Sequence, residues 1–391
     1  MNKRFYLFLL GGICALIIAI GIGRFSYTPL LPLMQKNNTL FSNTLAGFLA
    51  SSNYAGYLVG SILVVIIPMK HCKTTILKLS LIASILTTAF MGIFNLYSLW
   101  FAFRFISGVV SAFLFILASG IVLEELTKQN KVKLSGIFYS GPGIGIFLTG
   151  ILIPIFNTLF SWEVIWILLS IISIPLAIIS WIYLKDTPKT EDNLNTTKVS
   201  VRVPPAKWLP WIFIAYGLEG LGYIVTGTFI IDIAEKIPSF NGHATIVWAI
   251  VGLFAIPSCL IWSSLGKKYG FVKSLIIAMI LQSIGIVFPV FFPTELGIVI
   301  SAILFGATFI GITALGTTLV SYIKPKDNSK IIGAFTAIYG VGQMIGPSLA
   351  GILSSSTNNY YLSLVVAAIV VFLGGCLLFS GIKYEKTPNL N

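Results

Sequence analysis

"AIGIGRFSYTP" (residues 19–29) is echoed 199 residues later by "LEGLGYIVTGT" (218–228), with Gly21 over Gly220 and Gly23 over Gly222. A second segment, "YSGPGIGIFLTGIL" (139–152), is echoed by "YGVGQMIGPSLAGIL" (339–353) at nearly the same interval. In a chain of 391 residues, motifs that recur about half a length apart read as two copies of one unit.

All four segments lie inside apolar runs. The chain is 57% hydrophobic and 9% charged, with a mean hydropathy of +0.96. A soluble domain carries about a quarter of its residues as charges, so this composition belongs in lipid. Twelve runs are read as helical spans, at 5–33, 44–68, 74–95, 98–124, 133–157, 162–184, 208–232, 244–264, 272–293, 296–322, 331–355 and 360–382. Each approaches or exceeds the ~20 residues that cross a hydrocarbon core of ~30 Å. Lys3 and Arg4 precede the first run as they would a signal peptide. Its apolar stretch is longer than the ~7–15 residues of a signal sequence, so it is expected to remain as a span.

The net charge of +13 is set by topology. With the N-terminus inside, the inner segments collect 21 of the 25 basic residues, and the outer segments hold only Lys36 and Lys236. This asymmetry places both termini in the cytoplasm, and the basic excess implies no nucleic-acid partner. The one long polar segment, "KDTPKTEDNLNTTKVSVRVPPAK" (185–207), reads as a cytoplasmic linker. The expected fold is therefore an all-α integral membrane protein, with bundles 1–184 and 208–391 of six helices each. Cys14, Cys72, Cys259, Cys376, His71 and His243 show no metal-ligand spacing. Glycine clusters such as "GPGIG" lie within apolar spans, without the strand that a dinucleotide loop needs, and no cofactor is expected. Trp100, Trp162 and Trp208, near span ends, are expected to anchor at the membrane interface.

Two six-helix repeats joined by a linker resemble the major facilitator superfamily. "RFISGVVSA" (104–112) is similar to its RxxxGxxxA motif, and "GIFYSGPGIG" (136–145) to the GxxxGPxxG motif of its proton-coupled exporters. "GIGRFSYTPLLPLM" and "YGLEGLGYIVTGTF" resemble the YbfB/YjiJ-type branch. The resemblance implies a substrate site between the halves, lined by the first, fourth and seventh helices, and alternating access about it. Gly136, Gly141, Pro142 and Gly145, with Gly346 and Pro347 in the second copy, are the implied conformational motif. The family's acidic loop GxxxDRxGRR is absent: the two corresponding loops read "IPMKHCKTT" and "SSLGKKYGF", with Lys267 where an aspartate would stand.

Three ionisable residues fall deep within spans: Arg24, Arg104 and Glu219. Intramembrane charge costs ~3 kcal/mol or more and faces an aqueous cavity or a partner. Glu219 reads near the midplane, with Arg24 ~6 Å and Arg104 ~10 Å toward the outside. Tyr27 and Thr28 continue the face of Arg24, and Tyr216 and Tyr223 that of Glu219. These seven are the expected substrate-binding and coupling residues. A carboxyl at that depth is costly to ionise without a cation beside it, which makes Glu219 the expected proton carrier. The alternative is a structural pair with an arginine. For Arg24 the alternative is an ion pair or a reach to the headgroups. For Arg104 it is a packing seam in which the guanidinium bonds to carbonyls of a neighbouring helix. In the functional reading, a cargo anion sits between the arginines, and Glu219 replaces it when the cavity is empty.

The expected function is secondary active transport, proton-coupled, exporting an anionic or zwitterionic small molecule, from a chain that acts as a monomer. Uptake of an organic anion or amino acid is the alternative. An intramembrane enzyme or a sensor is disfavoured, because no histidine lies in any span and no segment is large enough for an output domain.

Overall fold

The computed structural model describes residues 3–36, 41–67, 72–129, 131, 134–185, 203–240, 243–324, 328–357 and 359–385. Most of the linker (186–202) lies outside the described residues, as do Lys70, His71, Lys133, Lys326 and Lys386.

Long helices dominate, and no strand occurs among the described residues. They are α1 (Arg4–Lys36), α2 (Asn43–Ile66), α3 (Lys73–Ile93), α4 (Tyr97–Lys128), α5 (Ser135–Asn157), α6 (Trp162–Tyr183), α7 (Ala206–Glu235), α8 (Ile246–Tyr269), α9 (Phe271–Phe291), α10 (Glu295–Ile323), α11 (Asn328–Thr357) and α12 (Tyr361–Tyr384). Large apolar side chains such as Leu79, Ile82, Ile171, Ile261 and Leu373 stay exposed on their outer faces. In a chain this apolar, such a surface is solvated by lipid tails.

The echo in sequence is an echo in packing. Helices α1 and α5, α1 and α6, α2 and α4, α3 and α4, and α3 and α6 lie against each other. The equivalent pairs six helices later, from α7·α11 to α9·α12, do the same. Between the two sets, α2 runs along α11, α5 along α8, and the end of α1 along α7. Lipid supplies no hydrophobic drive for helix association, so small residues let backbones touch and gain dispersion instead. A Cβ on Gly108 would lie 1.9 Å from the Asn53 carbonyl, and one on Gly150 would lie 2.3 Å from the Ala249 nitrogen.

The first span is not one continuous helix. Its α-helix ends at Leu16, a π-helix runs over Ile17–Ile22, and a new α-helix starts at Tyr27. The equivalent stretch of the second half, Leu209–Glu235, is unbroken. The break thus precedes Pro29 and Pro32. Both prolines sit in the outer helix (Tyr27–Lys36), whereas the Gly23 and Phe25 amides reach back five residues to Ile18 and Ile20. The break lies where Gly21 meets Gly145 of α5: a Cβ on Gly21 would come within 2.5 Å of the Gly145 Cα.

The tryptophan expectation is corrected. Trp100, Trp162 and Trp208 are buried. Trp100 and Trp162 meet edge to face at 5.4 Å, Trp100 donates to the Phe94 carbonyl, and Trp208 donates to Ser380. An indole whose N–H has a protein partner can close a helix junction instead of facing the headgroups.

Candidate functional site

The break in α1 leaves main-chain carbonyls without helical partners in the centre of the protein, and the sequence meets them with hydroxyls and one cation. Ser26 donates to the Ile22 carbonyl, Ser111 to that of Ala19 at 2.6 Å, and Ser107 to that of Gly23 at 3.1 Å. Arg104 of α4 completes the set. Its Nη1 donates to the Gly23 carbonyl at 3.1 Å and its Nη2 to the Arg24 carbonyl at 3.2 Å, with the guanidinium over the Tyr27 ring. Asn53 in turn donates to the Arg104 carbonyl. This is the packing-seam geometry for Arg104, whose guanidinium is held by the backbone of α1.

Arg24 is placed differently. It is buried, and its guanidinium lies 4.5 Å from the Tyr54 ring centroid and 4.7 Å from that of Tyr57, both on α2. Both are cation–π contacts. Its Nε and Nη2 have no hydrogen-bond partner. Those two N–H groups form one edge of the guanidinium, the fork that takes a carboxylate in two parallel bonds. Among the described residues no carboxylate lies within ion-pair distance of either arginine; the pairs present are Glu124–Lys128 and Asp232–Lys236.

Glu219 on α7 is fully buried. Tyr339 and Gln282 approach its carboxyl, but neither reaches full hydrogen-bond geometry, and both of its oxygens are unpartnered. The structure thus does not place Glu219 between the arginines. Instead, the phenols of Tyr223 and Tyr339 are within electrostatic reach of both Arg24 and Glu219. Gln343 donates to the Tyr223 hydroxyl.

The remaining expected residues separate into two sets. Tyr216 and Tyr223 join a stack of near-parallel rings with Phe335, Tyr339, Phe305 and Phe309. Tyr27 and Thr28 bond to backbone: Tyr27 to the Ala46 carbonyl at 2.9 Å, and Thr28 across the halves to the Gly227 carbonyl at 2.6 Å. In the motif glycines, a Cβ on Gly136 would strike Leu260 of α8, one on Gly141 would meet Leu16, and one on Gly346 would meet the Leu221 carbonyl. The Pro347 carbonyl lies against Gly47, and Pro142 sits buried in the first turn after the break at Tyr139–Ser140. Sequence reading missed Tyr54, Tyr57, Tyr339, Gln343 and Gln282. The first four had signals as the i, i+3 pair in "NYAGY" (53–57) and the i, i+4 pair in "YGVGQ" (339–343), polar groups on one face of an apolar helix.

The acid missing from the α8–α9 loop arrives from elsewhere in the chain. Gly270 has a positive φ of 105°, and the Glu385 carboxylate sits over it. Glu385 accepts from the Val272 amide at 2.7 Å and the Lys273 amide at 3.2 Å, so it caps the start of α9. Burial raises its pKa above the ordinary carboxylate value, opposed by those amide bonds.

Comparison with known proteins agrees with this architecture. In solved structures, the nucleoside transporter NupG superposes with a TM-score of 0.73 at 15% identity, over 98% of this chain and all of that one. A bacterial homolog of the human lysosomal transporter Spinster, inward-facing and unoccupied, gives 0.72 at 12% identity, over 99% and 100%. These likenesses concern the fold. In sequence, an uncharacterized MFS-type transporter, YceJ of Bacillus subtilis, is 25% identical over 360 residues, 88% of this chain and 89% of its own. The proton-coupled antiporter flippase LtaA of Staphylococcus aureus is 24% identical over 272 residues, 65% of this chain and 66% of its own. The family described as "Uncharacterised MFS-type transporter YbfB" matches residues 16–379. With its paired six-helix packing and that match over nearly its whole length, the chain belongs to this family of multi-pass major facilitator transporters.

Proposed function

We propose that the protein exports a carboxylate-bearing small molecule by alternating access, driven by protons moving the other way. One observation carries the anion: the Nε–Nη2 edge of Arg24 is buried, unpartnered and flanked by Tyr54 and Tyr57. A buried fork of donors with no acceptor is costly until an anion fills it. Arg104, already bonded to main chain, holds the α1 break open so that Arg24 is aimed at the cargo. Glu219 is the proton site. Ionised and unpartnered at full burial it would be unstable, so protonation and movement of the Tyr223–Tyr339 pair are linked. Helices 1–184 and 208–391 rock as two bundles about this centre, joined by the linker 185–207.

LtaA, named a proton-coupled antiporter, supports the coupling and the outward direction, as does the GP motif of α5. The asymmetry of basic residues supports a bacterial inner membrane with both termini in the cytoplasm. Uptake of an organic anion or amino acid is the second reading, and the sign of the gradient that drives flux separates it from export. The test uses proteoliposomes loaded with a panel of labelled carboxylates under an imposed pH gradient. Glu219→Gln is expected to abolish gradient-driven flux while keeping exchange of labelled for unlabelled cargo. Unchanged gradient-driven flux in that variant, at normal expression, would remove Glu219 from the mechanism.

A further inference from the structure

Beside Arg24 the second half presents rings in place of aliphatic side chains. Phe25, the next residue, meets Phe309 of α10 edge to face at 6.2 Å across the seam between the halves. From Phe309 the rings continue in nearly one orientation. Phe305 stacks on Phe309 at 7° between planes, Tyr223 faces both at 17° and 12°, and Tyr339 faces Tyr223 at 12°. The spacing is not uniform. Tyr216 and Phe335 are tightly stacked at 3.9 Å, whereas Tyr223 lies 6.2 and 6.1 Å from Phe305 and Phe309. The loosest step in the stack is therefore the one beside Phe25 and Arg24.

Offset parallel rings are a favoured packing in their own right. Here the stack runs to the seam between the halves beside an unpartnered guanidinium edge, and parallel ring faces at that place suit a flat guest. The polar groups at hand fit the same guest: a carboxylate fork at Arg24, and the Tyr223 hydroxyl with its Gln343 partner. We infer that the cargo is a planar aromatic carboxylate, its acid group on the Nε–Nη2 edge of Arg24 and its ring against Tyr223, Phe305 and Phe309. This rests on the anion reading above and narrows it. Separation of Phe25 from Phe309 as the halves part would open the ring faces to the guest. Each ring contact contributes modestly, so the aromatic preference amounts to about tenfold in affinity over a saturated anion of equal size.

The experiment measures binding of three probes to the full-length protein in detergent by calorimetry: 2-naphthoate, its saturated decalin carboxylate analogue, and 2-naphthamide. The expected order is naphthoate tightest, decalin carboxylate about tenfold weaker, and the amide weaker still. Phe309→Leu, which keeps an apolar side chain at that position, is expected to bring the two carboxylates level. Phe305→Leu serves the same purpose should the first variant elute as aggregate. Equal affinity for the two carboxylates in the parent protein would overturn the aromatic assignment and leave the anion site standing. Equal affinity for naphthoate and naphthamide would overturn the anion reading. Binding of none of the three by a monodisperse protein would overturn both.

Discussion

Replacing Arg24 tests the centre of the argument most directly. Two charge-assisted hydrogen bonds from Nε and Nη2 to a carboxylate contribute about 1.5–3 kcal/mol each, so the fork supplies ~3–6 kcal/mol of binding. Arg24→Ala is therefore expected to weaken 2-naphthoate by about 10²–10⁴-fold. Arg24→Lys keeps a cation within reach of Tyr54 and Tyr57 but offers no planar fork, so it is expected to lose about tenfold or somewhat more. An uncharged amide draws little on the fork and is expected to change by less than about tenfold in either variant. Titration calorimetry on detergent-purified protein gives all the affinities, and thermal melts separate lost binding from lost folding. Melts matter here, because the contacts of the guanidinium with the Tyr54 and Tyr57 rings also stabilise the fold. Equal losses for naphthoate and naphthamide in Arg24→Ala would refute the reasoning, and leave Arg24 as a structural clamp between α1 and α2.

Arg104→Ala strands the Arg24 carbonyl and leaves the Gly23 carbonyl to Ser107 alone, and is expected to cost about 1–3 kcal/mol, read as a fall in melting temperature and expression. Ser107→Ala, which removes only a shared neutral bond to the Gly23 carbonyl, is expected to cost ~1 kcal/mol. The halves are also joined by Asn43 to Ser354 at 2.9 Å, Thr44 to Ser355 at 2.8 Å and Ser51 to Ser348 at 2.7 Å. These links lie toward the ends of α2 and α11 remote from the termini, so an Asn43→Ala/Thr44→Ala pair is expected to favour opening on that face. Faster labelling of a cysteine placed at Thr28 would register it, and an unchanged rate would show that these bonds do not hold the closed state. For orientation, an impermeant thiol reagent on intact cells is expected to label a cysteine at Asn358 and not one at Asn193; reversed labelling would invert the topology.

The sequence by itself determined the solvent, the number of spans, the two-copy plan and the three residues whose charge lipid makes expensive. Each of these follows from local composition: a run of ~20 apolar residues is a span wherever it falls, and an arginine inside one needs an account whatever its neighbours are. Partners were decided only by the tertiary structure. Arg24 and Arg104 read alike along the chain, each a lone cation in an apolar helix. The fold gives Arg104 the carbonyls of a helix break 80 residues away, and gives Arg24 two tyrosine faces and an open edge. The break in the first span is not legible along the chain, because the π-helix at Ile17–Ile22 comes with the contact of Gly21 and Gly145 across two helices. Likewise the α8–α9 loop lacks an acid of its own, yet its helix start is capped by Glu385, 113 residues beyond Val272. Hydropathy is a sum over neighbours in the chain. A hydrogen bond or a ring contact depends on neighbours in space, and the packing of one helix on another chose these.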